Sequence, residues 1–222
     1  MGKLGVAILV IVLGVGLAGG SVGYLLYSDS NAEKIDPITM YPPSGPFSLT
    51  DHTGKEVTDE DYRGKLLFVA FGYTYCPDIC PTGLQDMSIV MDLLGEQADW
   101  VQPIFITIDP ERDTPEVLKE YVAAFHPRLI GLTGTPRQIA KAAEGYRVYY
   151  NKTVPPKAEA GDNGKREDED YSMGHTTSIY LVGTDGRGLA VFNFGMAATA
   201  VEEMANRIRH FVNIQEALAR AK

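Results

Sequence analysis

Only two cysteines, Cys76 and Cys80, occur in the 222 residues of the chain. That scarcity excludes the multiply bridged framework of small disulfide-stapled domains, so any sulfur chemistry falls to this one pair. Basic residues are also in short supply, with 20 Lys and Arg against 29 Asp and Glu and a formal net charge of −9. Such a balance argues against a nucleic-acid partner, which calls for clustered Lys and Arg. Histidine is sparse, at four residues, which keeps the inventory of imidazole ligands small. No internal repeat is present, so the length suits one medium domain with appendages.

Charge is missing altogether from residues 4–27. At about 1.5 Å per residue this stretch reaches roughly 36 Å, enough to cross a hydrocarbon core of about 30 Å. Lys3 precedes it and residues 28–32 carry no Lys or Arg, which places the N-terminus in the cytoplasm and the rest of the chain outside. Leu17-Ala18-Gly19-Gly20 would suit the end of a cleaved signal peptide, but the apolar run continues past it to spanning length. The absence of a cysteine near the end of the run excludes a lipid-bearing cysteine anchor, and Val6 stands where a myristoylation signal has Ser or Thr. The expected organisation is therefore a transmembrane anchor at residues 1–27, a polar linker at 28–45 and a folded domain at 46–222.

Within that domain, residues 47–49 and 55–57 flank the turn Asp51-His52-Thr53-Gly54 and read as a hairpin. Residues 65–72 form a nearly continuous apolar run, as expected of a central strand covered on both faces. Leu84, Met87, Val90, Met91 and Leu94 then recur at helical spacing. Residues 101–108 read as a second buried strand, and Asp113-Thr114-Pro115-Glu116 opens a helix that His126-Pro127 closes. A short strand at 129–132, a helix from Thr135-Pro136 to about Gly145 and a strand at 147–151 follow. Residues 154–170 carry no apolar period and read as an exposed loop. Strands at 177–182 and 189–194, joined by a Thr184-Asp185-Gly186 turn, and an amphipathic helix at 199–219 complete an α/β domain with a central mixed sheet.

The cysteines fall at i and i+4 in Cys76-Pro77-Asp78-Ile79-Cys80, between the apolar strand and the helix. Four-residue spacing on a helix stacks two side chains on one face, and a helix N-terminus favours thiolate. Two sulfurs so placed can bind a soft metal such as Cu(I) or Zn(II), close a disulfide, or do both in turn. A purely structural bridge would contribute little, because so short a loop carries little closure entropy. A third ligand would decide the matter. His52 sits in a hairpin turn, His126 at a helix end and His210 on the last helix, each most simply a surface residue. His175 precedes the strand at 177–182, whose pairing beside residues 65–72 would bring it to the cysteine-bearing strand end.

A strand ending in a dithiol at a helix N-terminus is the thioredoxin-like arrangement. Three segments, Gly72-Tyr73-Thr74-Tyr75-Cys76-Pro77-Asp78-Ile79-Cys80-Pro81-Thr82, Asp109-Pro110-Glu111-Arg112-Asp113-Thr114-Pro115 and His175-Thr176-Thr177-Ser178-Ile179-Tyr180-Leu181, closely resemble those of the Sco/SenC family. The resemblance runs from about residue 46 to 211 and implies a membrane-anchored, thioredoxin-fold copper chaperone for cytochrome c oxidase. It implies copper, Cu(I) or Cu(II), bound by Cys76, Cys80 and His175, with Asp109 and Asp113 as supporting groups near the metal. Asp113 reads equally as a helix N-cap. The implied acceptor is the CuA centre of oxidase subunit II, served by an upstream copper donor and a thiol reductant. The implied place is the inner membrane, single-pass, with the soluble domain periplasmic. Many relatives have Asp immediately before the ligand His; here Gly174 stands instead, which puts any tuning by that carboxylate in doubt.

An alternative from another class is a thiol–disulfide oxidoreductase that reduces the cysteines of the oxidase copper site with the same redox-active pair. Three intervening residues rather than two favour metal over plain redox exchange. A peroxiredoxin-like peroxidase needs Pro and then Thr or Ser before the reactive cysteine, where this chain has Val69 and Tyr73. A structural zinc site needs four ligands where three are in view. Tyr73 and Tyr75 read as packing or as a wall of the site, and Met173 and Met196 as core or loop residues rather than ligands.

Overall fold

Alternation along one strand organises the domain. In β3 (Leu66–Gly72), successive side chains point to opposite faces, so Leu66, Phe68 and Ala70 enter one core while Leu67, Val69 and Phe71 enter another. Every residue of the strand is buried, which explains why its sequence reads as an unbroken apolar run. The computed structural model describes residues 42–154, 171–194 and 198–220. Among them no helix is long and apolar enough to cross a membrane. The expected anchor at 1–27, most of the expected linker, most of the loop at 154–170, and Met196 lie outside the described residues.

The remaining strands are β1 (Ser48–Asp51), β2 (Glu56–Thr58), β4 (Val101–Thr107), β5 (Ile130–Thr133), β6 (Tyr150–Thr153), β7 (Ser172–His175), β8 (Ser178–Val182) and β9 (Gly188–Asn193). Seven strands form one mixed sheet in the order β2-β1-β5-β4-β3-β8-β9. β3, β4 and β5 run parallel; β1 pairs antiparallel with β5, and β8 antiparallel with β3. The expected α/β domain with a central mixed sheet is the observed one. Pairing of Ala70 with Ile179 brings the start of β8 beside the end of β3, as the position of His175 requires.

Among the described residues, four α-helices connect or close the sheet: α1 (Ile79–Leu94), α2 (Pro115–Val122), α3 (Pro136–Gly145) and α4 (Ala198–Arg220). α1, α4 and part of α2 cover the Phe68 face, and α3 covers the Phe71 face. Capping follows the expected chemistry. Thr114 and Thr135 each accept from a backbone N–H of the first turn, Pro follows both, and Thr135 forms a capping box with Gln138.

Two strands depart from sequence expectation. The strand expected at 147–151 is displaced to β6, because Arg147 adopts a φ of 53° that breaks an extended run before Tyr150. Residues 172–175, expected as a loop, form β7, which pairs antiparallel with β6 as a separate two-stranded sheet. Ser172, Met173, Gly174 and His175 carry little β-favouring bulk, so tertiary placement overrides local preference.

Phe68 is fully buried and packs edge-on against Phe192. Phe68→Ala is expected to cost about 3–5 kcal/mol, read as a lowered denaturant midpoint with unchanged slope.

Candidate metal centre

The parallel pairing of β3 with β4 brings the carboxyl ends of both strands to one edge, and the site lies there. Six residues separate Gly72 from the start of α1, and they carry the first cysteine. Cys76 therefore precedes the helix rather than riding on it, a correction to the expected stacking of both cysteines on one helical face. Asp78 occupies the N-cap position without a side-chain capping bond. Instead the Cys80 N–H donates to Cys76 Sγ at 3.4 Å, so the sulfur takes up an unpaired donor of the first turn.

Cys80 lies in that first turn with its side chain wholly buried. Its sulfur sits against bare backbone: a Cβ on Gly72 would lie 2.8 Å from Cys80 Sγ and 2.8 Å from Phe105 Cε2. Gly72 thus matters because a sulfur and a ring occupy the space of its missing side chain, which the apolar run alone does not reveal.

His175, the last residue of β7, supplies the third donor. Its Nε2 lies 3.4 Å from Cys80 Sγ, while Nδ1 lies 2.9 Å from the Thr176 carbonyl oxygen. That carbonyl can only accept, so Nδ1 carries the hydrogen and the Nε2 lone pair faces the sulfurs. The ring is further set edge-on to Tyr73, with centroids 6.1 Å apart. The ligand atoms of Cys76, Cys80 and His175 all lie within 4.8 Å of one another. Donors about 2.3 Å from a shared d¹⁰ ion span at most about 4.6 Å, so a few tenths of an ångström of closure would let them hold one. Both cysteines are free thiols.

The two sulfurs differ electrostatically. The Cys80 thiol donates to Cys76 and, with the backbone N–H groups of Cys80 and Asp78, holds the Cys76 thiol far below the ordinary range against the opposing effect of burial. Cys80 is pushed upward, first by that same interaction and then by burial. The pair thus keeps its shared proton on the inner sulfur and leaves the outer one as thiolate.

Asp113 and Asp109 approach the site through other residues. Asp113 is fully buried and accepts from the Thr74 N–H at 3.0 Å, the Thr74 hydroxyl at 2.5 Å and the Thr107 hydroxyl at 2.6 Å. Burial raises its pKa, and those hydrogen bonds oppose the rise. It is not the N-cap of α2; Thr114 is. Asp109 accepts from the Tyr171 hydroxyl at 2.6 Å and from Arg112 Nε at 2.5 Å.

Tyr73 is buried packing against His175, whereas Tyr75 is 63% exposed. Met173 packs partly buried against the α3-side core. His52 accepts from the Gly131 N–H and His126 from the Arg128 N–H, while His210 is exposed on α4, so these three stay away from the sulfurs. Gly174 is exposed, and a Cβ there would meet the Asn151 amide oxygen at 2.7 Å. That flexible end can swing away, so β7 has room for the carboxylate it lacks. Gly72, Thr74, Thr107, Arg112, Tyr171 and Thr176 were not legible as site residues, since each acts through a contact that spacing does not encode.

Residues 36–213 match the SCO1/SenC family model. The mitochondrial SCO1 homolog of Homo sapiens is 46% identical over 150 residues, covering 67% of this chain and 46% of that protein. The chain spans about half the length of such curated relatives. Among solved structures, Bradyrhizobium japonicum ScoI with copper bound is 45% identical with a TM-score of 0.65, over 76% of this chain and 99% of that one. BsSco, a member of the Sco family of cytochrome c oxidase assembly proteins in which a disulfide switch has been identified, is 25% identical with a TM-score of 0.56, over 78% and 95%.

Two outcomes test this geometry. Gly72→Ala must displace Cys80 Sγ or the Phe105 ring, at an expected cost of about 1–3 kcal/mol in denaturant unfolding. A small alkylating agent should modify Cys76 at pH values well below those at which an ordinary thiol still reacts, because a lowered pKa preserves thiolate until the pH falls through it. Cys80 should resist throughout, as peptide mass spectrometry would read.

Proposed function

The chain belongs to the SCO1/SenC family, and from that membership and the geometry of its site we propose that it is a copper chaperone. It binds copper through Cys76, Cys80 and His175 and delivers it to the CuA centre of cytochrome c oxidase subunit II during assembly. The observation that carries this reading is the convergence of Cys76 Sγ, Cys80 Sγ and His175 Nε2 within 4.8 Å. Two thiolates and a neutral imidazole form a soft donor set suited to Cu(I). The Thr176 carbonyl presets the imidazole tautomer, and the Cys80 N–H presets the outer sulfur. Cys80 forms the buried floor and Tyr75 stands exposed beside the site, an arrangement that leaves one side open to an acceptor's ligands. The copper-bound state of the Bradyrhizobium relative supports the metal, and the description of BsSco supports the oxidase as destination.

The apolar run at 4–27 supports a single-pass anchor in the inner membrane with the domain at 46–222 on the periplasmic side. There the pair needs an upstream copper donor and a thiol reductant, since a disulfide cannot supply thiolate ligands. A second reading rests on the acidity of Cys76: a thiolate poised above a protonated partner is a nucleophile for thiol–disulfide exchange with the oxidase copper-site cysteines.

Metal binding and exchange can be separated at one residue. The reduced full-length chain in detergent should bind a single Cu(I) per molecule and its disulfide form little. His175→Ala should lose tight Cu(I) binding in competition with a chromophoric chelator, while exchange with a model disulfide proceeds at a similar rate. Undiminished copper affinity in His175→Ala would defeat the three-ligand reading.

A further inference from the structure

We propose that Arg112, Asp109 and Tyr171 form a clamp that fixes His175 against the cysteine pair, which makes them positioning residues for the metal site; the inference rests on the three-ligand reading above. The three donors come from two different pieces of structure. Cys76 and Cys80 belong to the junction of β3 and α1, built on the seven-stranded sheet. His175 belongs to the separate two-stranded sheet of β6 and β7. The two sheets share no strand pairing among the described residues; the pairing of β8 with β3 brings the downstream end of β7 near the sulfurs, and side chains hold its upstream end, at Tyr171.

Tyr171, immediately before β7, is where those side chains converge. Its hydroxyl donates to Asp109 Oδ1 at 2.6 Å, and its carbonyl accepts from Arg112 Nη1 at 3.0 Å. Its ring lies 3.5 Å from the Arg112 guanidinium carbon and 3.7 Å from Lys152 Nζ. Asp109 completes the triangle by accepting from Arg112 Nε at 2.5 Å. The same guanidinium also lies 4.5 Å from the Tyr75 ring centroid and 5.8 Å from that of Tyr73. One cation thus touches the loop that carries Cys76 and the residue that leads into the strand carrying His175.

Burial makes the contact stiff. Asp109 is 3% exposed and the Arg112 side chain 15%, so the ion pair and the tyrosine hydrogen bond act where water screens them weakly. Removing the Tyr171 hydroxyl leaves Asp109 Oδ1 without its donor, in a place where water cannot fully replace it.

The consequence is selective. Loosening the clamp moves His175, whose Nε2 is 3.4 Å from Cys80 Sγ. It leaves the spacing of the two sulfurs alone, because that is set within the loop and the first helical turn by the Cys80 N–H bond to Cys76. With that spacing kept and Arg112 still seated against Tyr73 and Tyr75, loss of the Tyr171 hydroxyl changes metal affinity and leaves the disulfide potential alone.

Tyr171→Phe in the full-length chain in detergent keeps the stacked ring and deletes the hydroxyl. Cu(I) affinity, read by competition with bathocuproine disulfonate, should fall about 10- to 100-fold, the range usual for loss of a group that orients a ligand. The midpoint potential of the cysteine pair in a glutathione buffer should stay at the wild-type value. Combined with His175→Ala, Tyr171→Phe should add no further loss of affinity. Asp109→Asn, which weakens both arms of the clamp, should reproduce the loss of affinity and serves if the tyrosine variant fails to fold. An unchanged affinity in Tyr171→Phe, an equal loss in the His175→Ala background, or a parallel shift in potential would each overturn the clamp. Wild-type affinity in His175→Ala alone would instead overturn the three-ligand reading, and the clamp with it.

Discussion

A carboxyl group with no access to water holds the mouth of this domain in shape, and the metal site is arranged around it. Asp113 reaches from the segment after β4 to the backbone and hydroxyl of Thr74 and to the hydroxyl of Thr107. It thereby ties the loop that follows β3 to the end of β4, two strands that run parallel and stop at the same edge. Placing a carboxyl there is costly, and the raised pKa records that cost. Three donors converging on it offset the penalty and give the loop a single conformation. Cys76 and Cys80 follow Thr74 within six residues, so their placement inherits the rigidity of that junction.

The loop in turn divides the labour between two chemically identical side chains. Cys80 is driven into the α3-side core against Gly72, and there it retains its proton. Cys76, 8% exposed in the same core, collects donors from the start of α1 and from its partner, which lower its pKa. One sulfur is a fixed floor and the other an available thiolate. That asymmetry serves a metal carrier, which must bind softly and release, and it equally serves a dithiol that attacks with one sulfur and resolves with the other.

His175 reaches the pair by another route. It ends a small sheet held at two points, downstream by the pairing of β8 with β3 and upstream by contacts between the Asp109–Arg112 segment and Tyr171. The three candidate ligands thereby draw on both sheets, whereas the two sulfurs belong to one loop and one helical turn.

Much of this was legible in the chain. The apolar run at 65–72, the helical period of Leu84, Met87, Val90, Met91 and Leu94, and the Thr-Pro helix starts lead to the observed elements, because each depends on local propensity and on period. The pairing of cysteines at a strand–helix junction pointed to two soft donors, and the family resemblance implied His175 as the third. β7 was hidden, since Ser172-Met173-Gly174-His175 has no strand-like composition and becomes extended only by pairing with β6. Gly72 reads as the end of a strand, yet its role is to leave room for a sulfur eight residues away. Asp113 reads as a helix cap, yet it turns inward to Thr74 and Thr107. The sequence by itself determined which residue types could bind a soft metal and roughly where along the chain they lie. Folding adds what lies between distant segments: it lowers the pKa of Cys76 and raises that of Cys80, and it joins an arginine to a tyrosine 59 positions away, just ahead of the strand that carries His175. Those outcomes depend on burial and on contacts between distant segments, which neither spacing nor composition encodes.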